Sequence, residues 1–172
     1  MHSELQKMIL AEHSRAQMER IVRWVGMDDK KLKMLIELFM SEEKVISQRA
    51  GYPLSAIGEY YPQRLSPYLA KLIYYARTPN KHDAVYRSIA RILDYALIPS
   101  RLHGKAMELC FDWLMDTHQK VAVKAFALSV LGDLLDLYPE IGSELKIIIE
   151  DQIIHQTPAF KSRAKKILKK LA

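Results

Sequence analysis

The chain has 172 residues, 49% of them hydrophobic and 27% charged, and its 26 Lys and Arg against 20 Asp and Glu give a net charge of +6. Enough apolar surface is present to exclude disorder, six glycines and seven prolines are too few for the tight turns of an all-β sandwich or barrel, and a single cysteine, Cys110, excludes a disulfide framework. No run of about 18 uncharged apolar residues occurs, and the N-terminus lacks the apolar core of a signal peptide, so the expected setting is cytoplasmic with no membrane span.

Apolar residues at helical spacing over Leu5 to Val25 predict a first helix, with a polar middle around Glu12 to Arg15. Gly26 and the pair Asp28–Asp29 stop it and start a second over Lys30 to Met40. Ser41 is a candidate cap for a third helix, expected to bend or stop near Gly51-Tyr52-Pro53, where proline removes a backbone donor. Further helices read as 64–77, 82–98, 101–116, 120–138, 141–155 and 158–171. Their breaks carry Tyr61-Pro62, Thr78-Pro79-Asn80, Ile98-Pro99-Ser100, Tyr138-Pro139 and Thr157-Pro158. Connections this short make consecutive helices antiparallel neighbours. No segment shows sustained β alternation.

Four of these helices superpose as a repeat. The columns are Ile46, Tyr86, Val123 and Phe160; then Ala50, Ala90, Ala127 and Ala164; then Ile57, Leu97, Leu134 and Leu171. Positions −4, 0 and +7 about the alanine share one helical face. Alanine there allows a neighbouring helix to approach, and the larger residues above and below lock it. The segments Tyr86-Arg87-x-x-Ala90, Val123-Lys124-x-x-Ala127 and Phe160-Lys161-x-x-Ala164 resemble the apolar-basic-x-x-Ala pattern in the second helix of HEAT and armadillo-like repeats; Ser47 departs from it in the first copy. The resemblance implies an all-α fold, a right-handed α–α superhelix of about four helix pairs over 29–172 plus an extra N-terminal helix over 1–28, in a single domain 1–172. It specifies a fold class and says little about function.

Charge is uneven along the chain. Residues 105–156 carry four Lys and Arg against nine Asp and Glu, whereas residues 157–172 carry six and none. Helix 158–171 keeps Phe160, Ala164, Ile167, Leu168 and Leu171 on one face and Lys161, Lys165, Lys166 and Lys169 on the other. A polar outer face is what a terminal repeat requires. Helix 120–138, apolar almost all round, is expected between neighbours.

The six histidines, His2, His13, His82, His103, His118 and His155, lack metal-ligand spacing, and no glycine-rich phosphate loop or Gly-x-Ser-x-Gly elbow occurs. Cys110, between Leu109 and Phe111, reads as a buried inert thiol. Asp112 and Asp116 share a helix face but read as a solvated pair. No catalytic residue, metal ligand or cofactor is therefore assigned. Eight of the nine tyrosines fall between Tyr52 and Tyr95, a composition that suits a surface partly apolar and partly wet.

These readings favour a small repeat scaffold binding a protein or peptide partner. The candidate contacts are Arg87, Arg91, Lys124, Lys161 and Lys165, expected as an exposed stripe of the second helices, with Tyr60, Tyr61 and Tyr95. The competing structural role for Arg87, Lys124 and Lys161 is a ladder bonding carboxylates or carbonyls of the adjacent repeat. An alternative function is binding of the nucleic-acid backbone, as in HEAT-like DNA alkylation repair proteins, which the acidic 105–156 segment disfavours. A second alternative is an all-α enzyme, for which no signature loop is present.

Overall fold

The computed structural model describes residues 2–172, with side chains from residue 4 onward, so the side chain of His2 lies outside the described residues. Among the described residues there are helices and no strands. The helices are α1 (His2–Ala11), α2 (Arg15–Val25), α3 (Asp29–Phe39), α4 (Lys44–Tyr60), a single turn α5 (Pro62–Leu65), α6 (Leu69–Arg77), α7 (Asp83–Tyr95), α8 (Ser100–Met115), α9 (Val121–Leu134), α10 (Gly142–Gln152) and α11 (Pro158–Lys170). Short 3-10 turns occupy Ser66–Tyr68, Pro139–Ile141 and Ile153–His155.

The chain forms two compact units, Met1–Leu97 and Ile98–Ala172. In the first, α4 is the central element, packed on α1, α2, α3 and α7, with α6 against α7. In the second, α9 holds that place between α8 and α11, and α10 packs on α11. The alanine column explains both arrangements. Ala50, Ala90, Ala127 and Ala164 are all essentially closed to solvent, each on the face turned to the neighbouring helices.

Glycine adds to the close approach in the first unit. A Cβ on Gly51 would lie 2.4 Å from Ser88 Oγ, and one on Gly58 would lie 3.3 Å from Ile92 Cγ1. Residue numbers rise together across this contact, so α4 and α7 run parallel. The same holds for α9 and α11, where Gly132 meets Ile167 and Ser129 bonds Arg163 at 2.7 Å.

Several boundaries differ from expectation. The helix predicted over Leu5 to Val25 is two helices: Ser14 Oγ accepts from Gln17 N at 3.1 Å and caps α2. Helix α4 runs through Pro53 without stopping. Burial of Pro53 to Gly58 along α4 outweighs the roughly 3 kcal/mol that proline costs a helix interior. Ser41 does not cap it; Glu43 holds that position without a side-chain cap bond. The helix predicted over 64–77 is broken by the 3-10 turn around Pro67. The third repeat column also has an exception: Leu97 is 73% exposed because α7 ends at Tyr95 and Ala96 is extended, whereas Ile57 and Leu134 are buried.

Candidate functional site

Two roles were open for the repeat's basic column, an exposed stripe and a ladder bonding carbonyls or carboxylates, and the structure divides the column between them. In the first copy Ser47, at the column position, is buried and its hydroxyl donates to the Phe39 carbonyl, the last residue of α3. Lys124, the corresponding residue of α9, is only 6% exposed. Its Nζ donates to the Leu114 carbonyl at 2.9 Å and to Gln152 Oε1 at 3.3 Å, while Gln152 Nε2 donates to the same carbonyl at 2.8 Å. Both side chains thus satisfy a carbonyl that the end of the preceding helix leaves without an intrahelical donor. Burial pushes the Lys124 ammonium below its ordinary pKa, and Asp116 pulls it partly back. Lys124 is therefore not an exposed member of a stripe.

The rest of the column stays open. Arg87 and Lys165 are exposed and Lys161 is half-buried. Arg91 is half-buried and pairs with Glu59 of α4. That ion pair joins the C-terminal part of α4 to α7. Tyr60 and Tyr61 follow Glu59 directly, with rings 6.4 Å apart at 85°. Arg87, Arg91 and Tyr95 lie four residues apart in series, on one face of α7. Tyr60, Tyr61 and Tyr95 are each 40–50% exposed. In the first unit Arg87, Arg91 and Tyr95 thus share a face of α7 that Arg91 ties to Glu59, with the Tyr60–Tyr61 pair next to Glu59 in the chain, and in the second Lys161 and Lys165 lie along α11.

Other cations do what Lys124 does. Arg49 donates to the Leu10 carbonyl at 2.8 Å, Lys31 to the Trp24 carbonyl at 2.9 Å, and Lys170 to the Gly132 carbonyl at 2.9 Å and Asp136 at 2.7 Å. Arg64 bonds the Gly26 carbonyl and, at 3.1 Å, Asp29. Each accepting carbonyl lies at or near the C-terminal end of α1, α2 or α9. Sequence reasoning did not single out these four residues; for Arg49, Arg64 and Lys170 the acceptor lies 38 or 39 residues away, where no local pattern marks it, and Lys31 reaches back seven residues across the turn between α2 and α3.

A HEAT repeat domain model matches residues 5–171. The chain belongs to the HEAT repeat family. No curated protein and no solved structure matches it. No group of three or more His, Cys, Asp or Glu side chains among the described residues could hold a metal ion. His103 is fixed between the Ile98 carbonyl, 2.8 Å from Nε2, and the Tyr138 hydroxyl, 3.0 Å from Nδ1. The carbonyl can only accept, so Nε2 carries a proton and donates it there. Cys110 is buried. Asp112 and Asp116 are both exposed, and Asp116 Oδ1 accepts from the His118 backbone at 2.8 Å.

A cavity of about 260 Å³ in the first unit is lined by Ser41, Glu42, Lys44, Tyr75, Lys81 and His82 among others. Its charges are of both signs, and Lys81 lies over the Tyr75 ring at 4.4 Å. Among the described residues no helix is long and apolar enough to cross a membrane.

Proposed function

We propose that this HEAT repeat protein is a scaffold without catalytic activity that binds a protein or peptide partner on the exposed faces of its second helices. The observation that carries the reading is the α7 face in the first unit. Arg87 and Tyr95 are open there, the Arg91–Glu59 pair holds α4 and α7 in register between them, and the Tyr60–Tyr61 edge pair adjoins Glu59. Tyrosine and arginine supply large contact area at low conformational cost, and both are enriched at interface centres. Lys161 and Lys165 are candidate contacts on the second unit. A cytoplasmic partner is consistent with the lone buried thiol.

The nucleic-acid reading has less support. Lys124, Lys170, Arg64, Arg49 and Lys31 are committed to carbonyls of the protein itself. A phosphate track needs cations free along one line. The test pairs affinity capture with DNA titration. Proteins retained by the wild type should be lost with Arg87→Glu/Tyr95→Ala while the fold, followed by circular dichroism, is unchanged. Duplex and single-stranded DNA should bind weakly and release near physiological salt. Tight DNA binding at physiological salt that Lys161→Glu abolishes would replace the scaffold reading.

A further inference from the structure

A different surface carries a second, independent assignment. Helix α10 buries one apolar face and leaves an isoleucine exposed on the opposite side. Leu145, Ile148 and Ile149 are buried, and Gly142 lies so close to Leu171 and Leu135 that a Cβ there would sit 2.6 Å from Leu171 Cδ2 and 3.3 Å from Leu135 Cδ1. Ile147, on the opposite side, is 68% exposed, and Ile154 in the following 3-10 turn is 72% exposed. Seven residues apart, five at the α-helical rise and two at the 3-10 rise, they fall on one side, with anchors about 11.5 Å apart along the axis.

The ridge is flanked by carboxylates. At about 100° per residue, Glu144 and Asp151 fall on one side of it and Glu150 on the other, each within about 60° of Ile147. All three are exposed, and no cation bonds them among the described residues. Lys146 stands at the margin, about 100° away. An exposed ridge of two isoleucines between carboxylates lies inside a chain whose net charge is positive.

We propose that this face of α10 docks a basic amphipathic helix of a partner protein, with apolar side chains at i and i+7 set against Ile147 and Ile154 and Lys or Arg residues beside them reaching Glu144, Asp151 and Glu150. The spacing selects a helix, because two apolar anchors one heptad apart on one face are what a helix supplies to a helical ridge. The carboxylates select a basic one and repel both nucleic acid and an anionic membrane. A second copy of this chain fits less well. The outer face of α11 is basic, but Phe160, Ala164 and Ile167 are turned inward and buried, so it offers cations without an apolar ridge. This assignment does not rest on the α7 surface: α10 is the first helix of its pair and lies in the other unit.

The probe is a fluorescein-labelled designed peptide of about 18 residues, about 27 Å as a helix, carrying leucine at heptad spacing and lysine at the flanking positions. A scrambled peptide of the same composition is the control. Fluorescence anisotropy with the full chain should show saturable binding of the amphipathic peptide only. Ile147→Ser/Ile154→Ser should weaken it by at least about tenfold, and so should Glu144→Lys/Asp151→Lys. Both pairs are exposed, so the urea midpoints should stay at the wild-type value. Tyr95→Ala should leave the affinity unchanged.

Absence of binding, equal affinity for the scrambled peptide, or insensitivity to both α10 pairs each overturns the assignment. If Tyr95→Ala weakens the peptide and the α10 variants do not, the assignment fails while the α7 reading stands. Sedimentation that reveals self-association abolished by Ile147→Ser/Ile154→Ser would make the occupant a second copy and also overturn it.

Discussion

Reversing the charge of two lysines from the same repeat column should give opposite results. Lys124 is closed to solvent against the Leu114 carbonyl and Gln152, whereas Lys161 is half-buried in the first turns of α11. In Lys124→Glu the ammonium's hydrogen bonds, worth about 1.5–3 kcal/mol for a charged donor, are lost. A carboxylate then faces a carbonyl oxygen, with Asp116 nearby. Leaving a buried charge uncompensated costs about 3–5 kcal/mol, which includes the lost bonds. With a urea slope of about 2 kcal/mol per molar, the midpoint should fall by roughly 1.5–2.5 M. Lys161→Glu should stay within about 0.5 kcal/mol of the wild type, because a carboxylate suits the free N–H groups of a first turn. Lys124→Met keeps the aliphatic stem, and Gln152 Nε2 still satisfies the Leu114 carbonyl. Its loss should stay below about 1.5 kcal/mol. Urea unfolding followed at 222 nm measures all three. If Lys124→Glu and Lys161→Glu prove equally benign, the Lys124 ammonium does not close the end of α8 and the division of the basic column is wrong.

Three further outcomes are expected. Burial lowers the pKa of Lys124 in the fold from its ordinary 10.5, so its charged form carries a desolvation cost there. Between the lowered value and 10.5 the folded state sheds the proton first, so the stability of wild type relative to Lys124→Met should rise with pH across that window and level off above it; chemical denaturation at intervals from pH 7 to 11 reads the trend, and a falling difference contradicts it. Gly104→Ala, where a Cβ meets nothing within 4 Å, should stabilise by about 0.5–1 kcal/mol, whereas Gly51→Ala, pressed on Ser88 and Phe39, should destabilise by up to about 2 kcal/mol after the helix-propensity gain; thermal melts of both variants decide this. Ser14→Ala removes the hydrogen bond to Gln17 N and should cost about 1 kcal/mol by urea titration, and an unchanged midpoint would show that the break between α1 and α2 does not depend on its cap.

The repeat was legible because its key position is small, buried and recurrent. Alanine at 50, 90, 127 and 164 needs one explanation, close packing, and the structure supplies it at each site. The break at Ser14 was also written in the chain: serine followed three residues later by Gln17 is a helix-start pattern, masked by the apolar period that continues across it. Pro53 could not be placed in a helix interior from local chemistry, because what overrides it is burial against α4's neighbours. For Lys124 the sequence offered two roles, an exposed contact or a ladder bonding carbonyls, and could not choose between them, because the choice depends on burial. Arginine, lysine and serine in one column look like a tolerant surface position until the Phe39 and Leu114 carbonyls are seen beside two of them. The outward turn of Ile147 was concealed within the run Ile147-Ile148-Ile149, whose other two members are core.

The parallel course of α9 and α11 has an electrostatic consequence. Peptide dipoles add along a helix, leaving about half a negative charge at its C-terminal end. Antiparallel neighbours cancel these ends against each other; parallel ones set like poles side by side. The last turn of α11 carries Lys170, and its ammonium reaches the Gly132 carbonyl and Asp136 at the close of α9. A whole positive charge therefore stands where two partial negative ones converge. Lys170, shared between Asp136 and the Gly132 carbonyl, thus serves as a counterion within the protein's own stacking.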